Sequence, residues 1–191
     1  MLRQAITPRL DIPRNALVLE IGSGHRPHPR ADVLTDKYLD DVERGGQLVT
    51  DRPFLQVDAE KLPFKTGIFD YIICRHVLEH LEVPEDFFQE IRRVGKAGYI
   101  EAPSVIWEHL HPTRTYHRWY VMEIDGALIL KRKPPKATYA FFGHLFERLN
   151  RYSPEYRLFI RRYADIFYVR YQWHEDIVYY VDSTDEEHQS W

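Results

Sequence analysis

Residues 16–36 read ALVLEIGSGHRPHPRADVLTD, and this stretch decides the fold of the chain. Residues 17–21 form an almost unbroken apolar run, which is typical of a parallel strand buried on both faces. The run ends at Gly22-Ser23-Gly24, where two missing Cβ atoms let backbone N–H groups come close to a ligand. We therefore predict a ligand-binding turn at the end of a central strand.

Glu20 interrupts the apolar run just before this turn. A carboxylate buried at that position without a partner would be costly. A cationic group of a ligand, or backbone N–H donors, would supply the partner. Glu20 is therefore a candidate binding residue.

The connection from the glycine turn to the next apolar run is unusually short. Only eight residues, 25–32, precede Val33-Leu34, and they include Pro27 and Pro29. A helix is disfavoured because the second proline lacks its donor and clashes with the preceding turn. Eight extended residues reach roughly 26 Å, enough to return along a strand of about 17–20 Å, whereas eight helical residues cover only about 12 Å. We predict an extended loop here.

Strands and crossovers alternate over the next 70 residues or so. Val57 marks a third strand and Ile72-Ile73 a fourth. A helix is predicted from Pro84, with Phe87, Ile91 and Val94 on one face and glycines at 95 and 98 to stop it. A fifth strand is predicted over 99–103. This order implies an α/β fold with a doubly wound, mostly parallel sheet, for which we expect seven strands.

After Ser104 the pattern changes. Asp125-Gly126 between two apolar-rich runs predicts a hairpin over residues 119–133, and helices are predicted over 139–150 and from Ser153. Residues 166–173 and 177–181 are interpreted as the antiparallel sixth and seventh strands, which makes residues 104–163 an inserted lid. The alternative places residues 119–131 in the sheet and the C-terminal part outside it. The acidic end, residues 185–187, is predicted to be disordered.

Length and composition set broad limits. At 191 residues the chain is expected to form a single domain, 1–191. The net charge of -3 favours no polyanionic partner, so nucleic acid is not predicted. A single cysteine, Cys74, and the absence of a membrane-length apolar run indicate a cytoplasmic protein with no membrane partner. The aromatic-rich second half is a candidate homodimer surface.

Four stretches in order resemble the class I S-adenosylmethionine-dependent methyltransferases, in their small-molecule, type 11-like branch. They are Glu20-Ile21-Gly22-Ser23-Gly24, then Asp36 at the end of the second strand, then 56–64, QVDAEKLPF, and finally 69–80, FDYIICRHVLEH. The last stretch is similar to the fourth strand and following helix of that family. The resemblance covers residues 14–104, and the missing first helix departs from the family pattern.

The resemblance implies a Rossmann-like methyltransferase fold, S-adenosylmethionine as the cofactor and S-adenosylhomocysteine as the product. It implies an enzyme that methylates a small molecule or metabolite; the alternative is a methyltransferase-like binding or scaffold protein without catalysis. It also assigns the cofactor-binding residues: Glu20, Gly22, Ser23 and Gly24 at the methionine end, Asp36 at the ribose, Asp58 and Ala59 at the adenine, and Arg75 at the far wall.

Methyl transfer from a sulfonium depends mainly on positioning, and a base is needed only if the acceptor must lose a proton. His76 and His117 are the candidate catalytic residues on the acceptor side. The alternative for each is a histidine at a helix end or on the surface. Residues 117–120, HRWY, are a candidate clamp for an anionic or aromatic acceptor, and equally the first residues of the hairpin.

Three other types of site are disfavoured. A dinucleotide site needs Gly-x-Gly-x-x-Gly opening a helix, and here the third glycine position is Pro27. No metal site is predicted, because neither the pair His25 and His28 nor the trio 109, 111 and 117 is joined by cysteines or a tight carboxylate cluster. The sequence Cys74-Arg75-His76 replaces the acid-or-amide-Pro-Pro pattern of base-modifying methyltransferases.

Overall fold

The computed structural model describes residues 10–40, 45–111, 116–134 and 140–183, and of residues 140–142 only the backbone. The strands in these residues are β1 Val18–Ile21, β2 Val33–Asp36, β3 Phe54–Gln56, β4 Tyr71–Arg75, β5 Ala97–Pro103, β6 Trp119–Ile124, β7 Ala127–Arg132, β8 Tyr168–His174 and β9 Tyr179–Asp182. The α-helices are α1 Pro84–Val94, α2 Val105–Leu110, α3 Ala140–Tyr152, α4 Pro154–Arg162 and α5 Ala164–Phe167. Residues 41–44 and the acidic end at 185–187 lie outside the described residues.

The strands form two sheets. The main sheet has six strands in the order β3-β2-β1-β4-β5-β8, all parallel except β8, which is antiparallel to β5. The second sheet has the order β6-β7-β9, with an antiparallel hairpin and a parallel third strand. The predicted mostly parallel α/β fold is confirmed, whereas the expectation of seven strands in one sheet is wrong.

The first crossover has no helix. All of its residues, from Gly22 to Asp32, are described, and they form turns and extended backbone. The loop returns alongside β1, where Asp32 donates its backbone N–H to the Val18 carbonyl at 2.9 Å. The predicted extended loop is therefore confirmed.

Helix α1 forms because sequence and packing agree. Pro84 occupies its first turn, Glu85 and Asp86 complement the positive end of the helix dipole, and two arginines lie in the last turn. Its buried residues are Pro84, Phe87, Phe88, Ile91 and Val94. Each large apolar side chain contributes roughly 1.5–3 kcal/mol by leaving water, which anchors the helix on the sheet.

The sequence left open whether the C-terminal strands join the main sheet, and in the structure only one of them does. Residues 168–174 join the main sheet as predicted, but 179–182 pair with β7 of the hairpin instead. The reason lies in the core, since Tyr179 stacks on Phe88 of α1 with ring centroids 4.1 Å apart, and Ile177 is buried beside it. Strand β9 thus covers the apolar face of α1 rather than extending the edge of the main sheet.

Some short elements differ from the sequence expectations. Helix α2 was not predicted, although Ser104 caps it by accepting the Trp107 N–H at 3.3 Å. The helix expected directly after the fourth strand is a single 3₁₀ turn, Leu78–His80. Residues 166 and 167 are helical, in α5, rather than the start of a strand. No helix among the described residues has the length and hydrophobicity needed to cross a bilayer.

The two faces of the main sheet are covered differently. On one face, Leu19, Ile72 and Ile100 pack with α1 and with the buried residues of the hairpin. On the other face, the cluster around Val18, Ile73 and Tyr99 is covered in part by Leu10 and Ile12 of the N-terminal lead-in. The candidate functional residues lie where these layers meet the carboxyl ends of the parallel strands.

Gly98 in β5 tests how closely the main sheet is packed. A Cβ at this position would lie 2.6 Å from the Ile72 carbonyl oxygen and 2.7 Å from Trp173 Nε1. Neither atom has room to move, so we expect Gly98→Ala to lower the free energy of unfolding by about 1–3 kcal/mol. Denaturant unfolding measures this, with Gly45→Ala as the control, because its Cβ meets only the His25 ring at 3.2 Å. Equal stability of the two variants would contradict the packing described.

Candidate functional site

The glycine turn lies at the carboxyl end of β1, as predicted. Gly22 and Gly24 have φ values of 65° and 57°, a region that side chains disfavour. A Cβ on Gly22 would lie only 2.2 Å from Val77 Cγ2, so the chain after β4 passes directly over the turn. Between the two glycines, the buried Ser23 hydroxyl has no hydrogen-bond partner among the described residues. An unpaired buried hydroxyl fits a turn that receives a polar ligand group.

The predicted ribose and adenine acids lie at the ends of neighbouring strands. Asp36 accepts the Gly24 N–H at 3.1 Å through one oxygen and the Tyr38 N–H at 3.1 Å through the other. The carboxylate is thus fixed at the end of β2, beside the glycine turn. Asp58 is paired with Lys37 at 2.8 Å and follows β3 directly, with Ala59 buried behind it.

The Asp58 pKa reflects this pair. Burial is the largest effect and raises the pKa, but the hydrogen bond from Lys37 and the Glu60 N–H outweigh it and bring the pKa below its usual range. The acid is thus ionised at neutral pH. Its adenine role stays a prediction.

Glu20 is saturated by the protein itself. It is only 1% exposed, and its Oε1 lies 2.6 Å from Arg75 Nη2 while its Oε2 accepts the His28 N–H at 2.5 Å. Burial raises the pKa of Glu20, and Arg75 and the His28 N–H only partly offset that effect. In this conformation the carboxylate holds the loop, and the direct contacts to cofactor implied for Glu20 and Arg75 stay predictions.

The loop over residues 25–30 is fixed by a set of polar contacts. Arg75 Nη2 also donates to the Arg26 carbonyl at 2.8 Å, and Arg52 donates to the carbonyl of His28 at 3.2 Å. His28 Nδ1 accepts the Arg30 N–H at 3.1 Å. Burial, with the nearby arginines, lowers the His28 pKa to about 4, so the ring is neutral and able to accept. The loop thereby replaces the missing helix as the wall beside the glycine turn.

His76 follows β4 in a strained backbone conformation. Its φ is 57°, which is uncommon for a non-glycine residue and clusters at functional sites. Its ring lies between two carboxylates, with Nδ1 3.5 Å from Glu79 Oε1 and Nε2 3.6 Å from Glu101 Oε1. Desolvation lowers the pKa of His76, but hydrogen bonding and charge from Glu79, with the charge of Glu101, outweigh it and raise the pKa overall.

His117, the second catalytic candidate, comes from the segment before the hairpin. Its ring is buried, and Nδ1 lies 2.6 Å from Glu108 Oε1 of α2. The ring packs edge-on against His80 at a centroid distance of 4.7 Å. His76 and His117 therefore approach the same short turn, Leu78–His80, from two sides.

The clamp proposed for residues 117–120 is divided by the fold. Trp119 is 2% exposed and donates its Nε1–H to the Leu81 carbonyl at 2.8 Å, which makes it a core residue. Arg118 is paired with Glu82 at 2.8 Å. These positions agree with the alternative interpretation, in which the four residues begin the hairpin.

The histidines considered as metal ligands from sequence do not converge. His109 Nδ1 is bonded to the Val105 carbonyl at 2.7 Å and His111 Nδ1 to the Trp107 carbonyl at 3.1 Å, both within α2 and its cap. His28 belongs to the loop contacts described above. Of these histidines, His117 alone lies in a group of acidic and histidine side chains that converge among the described residues, and its companions there are Glu79 and His80.

Residues 34–100 match the family described as "Methyltransferase domain". The match covers about a third of the chain and lies within the range 14–104 that the sequence motifs define, so the predicted resemblance is confirmed. S-adenosylmethionine is the cofactor that this match supports.

Among curated proteins, the chain is similar to ajmaline N-methyltransferase of Rauvolfia serpentina, with 37% identity over 54 residues. The aligned part is 28% of this chain and 18% of that protein, so the chain spans less than a fifth of the relative it matches.

Two solved structures are also similar to part of the chain. A protein of Pyrococcus horikoshii OT3 has 21% identity and a TM-score of 0.41, covering 57% of this chain and 62% of that chain. A SAM-dependent methyltransferase from Aquifex aeolicus has 17% identity and a TM-score of 0.33, covering 47% and 57% respectively.

Sequence reasoning missed two buried acids. Glu79 and Glu108 are each only 1–2% exposed, and both contact the candidate histidines. Glu108 gave no signal, because helix α2 was not predicted. Glu79 did, since residues 76–80 read His-x-x-Glu-His, a spacing used by metal-binding enzymes.

The Glu20–Arg75 pair should contribute more to stability than an exposed pair on the same sheet. Glu20→Gln removes the charge facing a guanidinium that is only 17% exposed, so we expect the free energy of unfolding to fall by about 2–4 kcal/mol. The matched control is Asp70→Asn, whose exposed pair with Lys96 should contribute less than about 1 kcal/mol. Denaturant unfolding measures the free energy of unfolding of both variants. Equal losses of stability would contradict the larger contribution expected of the buried pair.

Proposed function

We propose that the chain is an S-adenosylmethionine-dependent methyltransferase that acts on a small molecule or metabolite. The observation that carries this proposal is the glycine turn with its unpaired Ser23 hydroxyl, whose Gly24 N–H is bonded to Asp36. Asp36 lies within residues 34–100, which match a methyltransferase domain, and the turn lies just before them. Both lie at the carboxyl edge of a parallel sheet, where doubly wound folds bind ligands.

The roles of the binding residues follow from their positions. Gly22 and Gly24 would offer backbone N–H groups and Ser23 its hydroxyl to the cofactor, Asp36 would accept the ribose hydroxyls, and Asp58 with Ala59 would hold the adenine. Bound S-adenosylmethionine supplies a methyl group on a sulfonium that is already a good leaving group. The chain therefore contributes chiefly by orienting donor and acceptor.

The missing helix changes how the methionine end is held. Helix N-termini commonly bind carboxylates through unpaired N–H groups, and this chain has a proline-containing loop at that position. Glu20 and Arg75 fix the loop by contacts at its residues 26 and 28. We assign them a positioning role, in addition to the direct contact that the resemblance implies.

On the acceptor side, His76 is the better-placed base. Its raised pKa makes the ring a stronger proton acceptor, and Glu79 and Glu101 stabilise the imidazolium that forms when a proton is transferred. His117 is buried and committed to Glu108 through Nδ1. We therefore propose His76 as the proton acceptor for an acceptor molecule that must be deprotonated.

The contacts at the end of β1 also favour a second function. Both oxygens of Glu20 are occupied, and Val77 lies against Gly22. These contacts support a methyltransferase-like binding or scaffold protein that has lost catalysis. Binding measurements separate the two proposals.

The predicted cytoplasmic location and the homodimer through the aromatic-rich C-terminal part remain predictions. In support of a surface contact, helix α4 exposes Leu158 and Phe159, with Tyr163 following it.

Isothermal titration calorimetry of the chain with S-adenosylmethionine and S-adenosylhomocysteine tests the proposal directly. We expect both to bind at one site, and Asp36→Ala to weaken binding by at least several-fold, since a hydrogen bond to a charged group contributes about 1.5–3 kcal/mol. The matched control is Asp86→Ala, an exposed acid in the first turn of α1 that should leave the affinity unchanged. Unfolding curves show that each variant is folded.

Two results would count against the assignment. Absence of binding of both ligands at millimolar concentration would support the scaffold alternative. Binding that is unaffected by Asp36→Ala would refute the ribose role of that residue while leaving the enzyme proposal in place.

A further inference from the structure

A second cluster of polar side chains lies on the other side of the turn after β4. Glu79, His80 and His117 each offer one ligand atom, and these three atoms all lie within 4.8 Å of one another. Glu79 and His117 are buried, and His80 is partly exposed. None of the three was assigned to cofactor binding.

One oxygen of the buried Glu79 carboxylate has no hydrogen-bond partner among the described residues. The Glu79 side chain is 1% exposed, and the unpaired oxygen is Oε2. Its Oε1 lies 3.5 Å from His76 Nδ1 and 3.8 Å from His80 Nε2, at or beyond the limit of a good hydrogen bond. A buried carboxylate with an unpaired oxygen is costly, and a bound cation would satisfy it.

His117 is oriented as a metal ligand would be. Its Nδ1 lies 2.6 Å from Glu108 Oε1, and Glu108 Oε2 is held in turn by Lys133 Nζ at 2.5 Å. A carboxylate bonded to one ring nitrogen fixes the tautomer and leaves the other nitrogen, Nε2, free to coordinate. This outer arrangement of carboxylate and histidine accompanies most histidine–metal sites.

The two segments that carry the ligands are tied together. The Arg118 backbone N–H donates to the Glu79 carbonyl at 2.6 Å, and Trp119 Nε1 donates to the Leu81 carbonyl at 2.8 Å. The ring of His80 stacks parallel to Tyr116, with centroids 5.5 Å apart. The ligands are thus preorganised by neighbours that do not themselves coordinate.

We propose that Glu79, His80 and His117 bind one divalent first-row transition-metal ion, with Glu108 positioning His117. Two imidazoles and one carboxylate suit zinc, cobalt, iron or manganese better than magnesium, which prefers an all-oxygen set. With metal–ligand bonds of about 2.0–2.2 Å, ligand atoms on one ion lie about 3–4 Å apart, so only a small inward movement is needed. Three protein ligands leave further positions open, as in catalytic sites.

Glu79 also lies 3.5 Å from the proposed base His76, so activity would not separate a metal site from methyl transfer. The test therefore uses the metal alone. The chelator-treated 191-residue chain is titrated with ZnCl₂, CoCl₂ and MgCl₂ by calorimetry. The cobalt form is followed by its visible absorption, which reports the ligand set without any activity.

We expect one site for zinc and cobalt and at least tenfold weaker binding of magnesium. His80→Ala and Glu79→Gln should each weaken zinc binding by about 100-fold or more and change the cobalt spectrum. Glu108→Gln should weaken it by about 10- to 100-fold, as expected of a residue that orients a ligand. The control is His109→Ala, an exposed histidine one residue from Glu108, which should bind zinc as the unmodified chain does.

Because His80 is partly exposed, His80→Ala is the ligand variant least expected to disturb folding. Unfolding curves show whether each of the four variants is folded. Zinc binding that is the same in His80→Ala, Glu79→Gln and the control would overturn the proposal. So would the absence of saturable zinc and cobalt binding, or a preference for magnesium. None of these results bears on whether the chain binds S-adenosylmethionine.

Discussion

The buried pair of Glu20 and Arg75 is the interaction on which the ligand edge of this fold depends. The chain has no first crossover helix beside the carboxyl end of β1. A loop takes that position, and the pair holds it by joining it to β4. Arg75 reaches the Arg26 carbonyl while Glu20 takes the His28 N–H, so one ion pair joins two strands and two points of the loop. Buried pairs contribute modest net stability, but breaking one is costly.

The sequence predicted those features that a local rule determines. Pro27 and Pro29 exclude a helix whatever surrounds them, and Pro84 with its apolar periodicity defines α1 without reference to the rest of the fold. Asp125-Gly126 likewise determines the hairpin, and Asp125 does adopt a positive φ, 52°. In each case the backbone preference of a few residues determines the local structure, and tertiary packing agrees with it.

What could not be predicted depends on contacts between distant segments. Whether β9 joins the main sheet or the hairpin is decided by the stacking of Tyr179 on Phe88, a pair more than 90 residues apart in sequence. The position of Glu108 depends on a six-residue helix whose periodicity is too short to detect. The convergence of Glu79, His80 and His117 also depends on distant segments, because the hairpin has to pack on the turn after β4 before His117 can reach it.

One short segment, residues 75–80, connects both sites. Arg75 holds the loop, Val77 contacts Gly22, and Glu79 lies in the second cluster. The segment is pinned at both ends, because the His76 N–H donates to the Glu101 carbonyl at 2.8 Å, the His80 N–H donates to the Val77 carbonyl at 2.9 Å, and Leu78 is fully buried. Val77 is therefore held against Gly22. Because Gly22 has no side chain, the segment can pass over the turn, and its fixed position also determines where Glu79 lies.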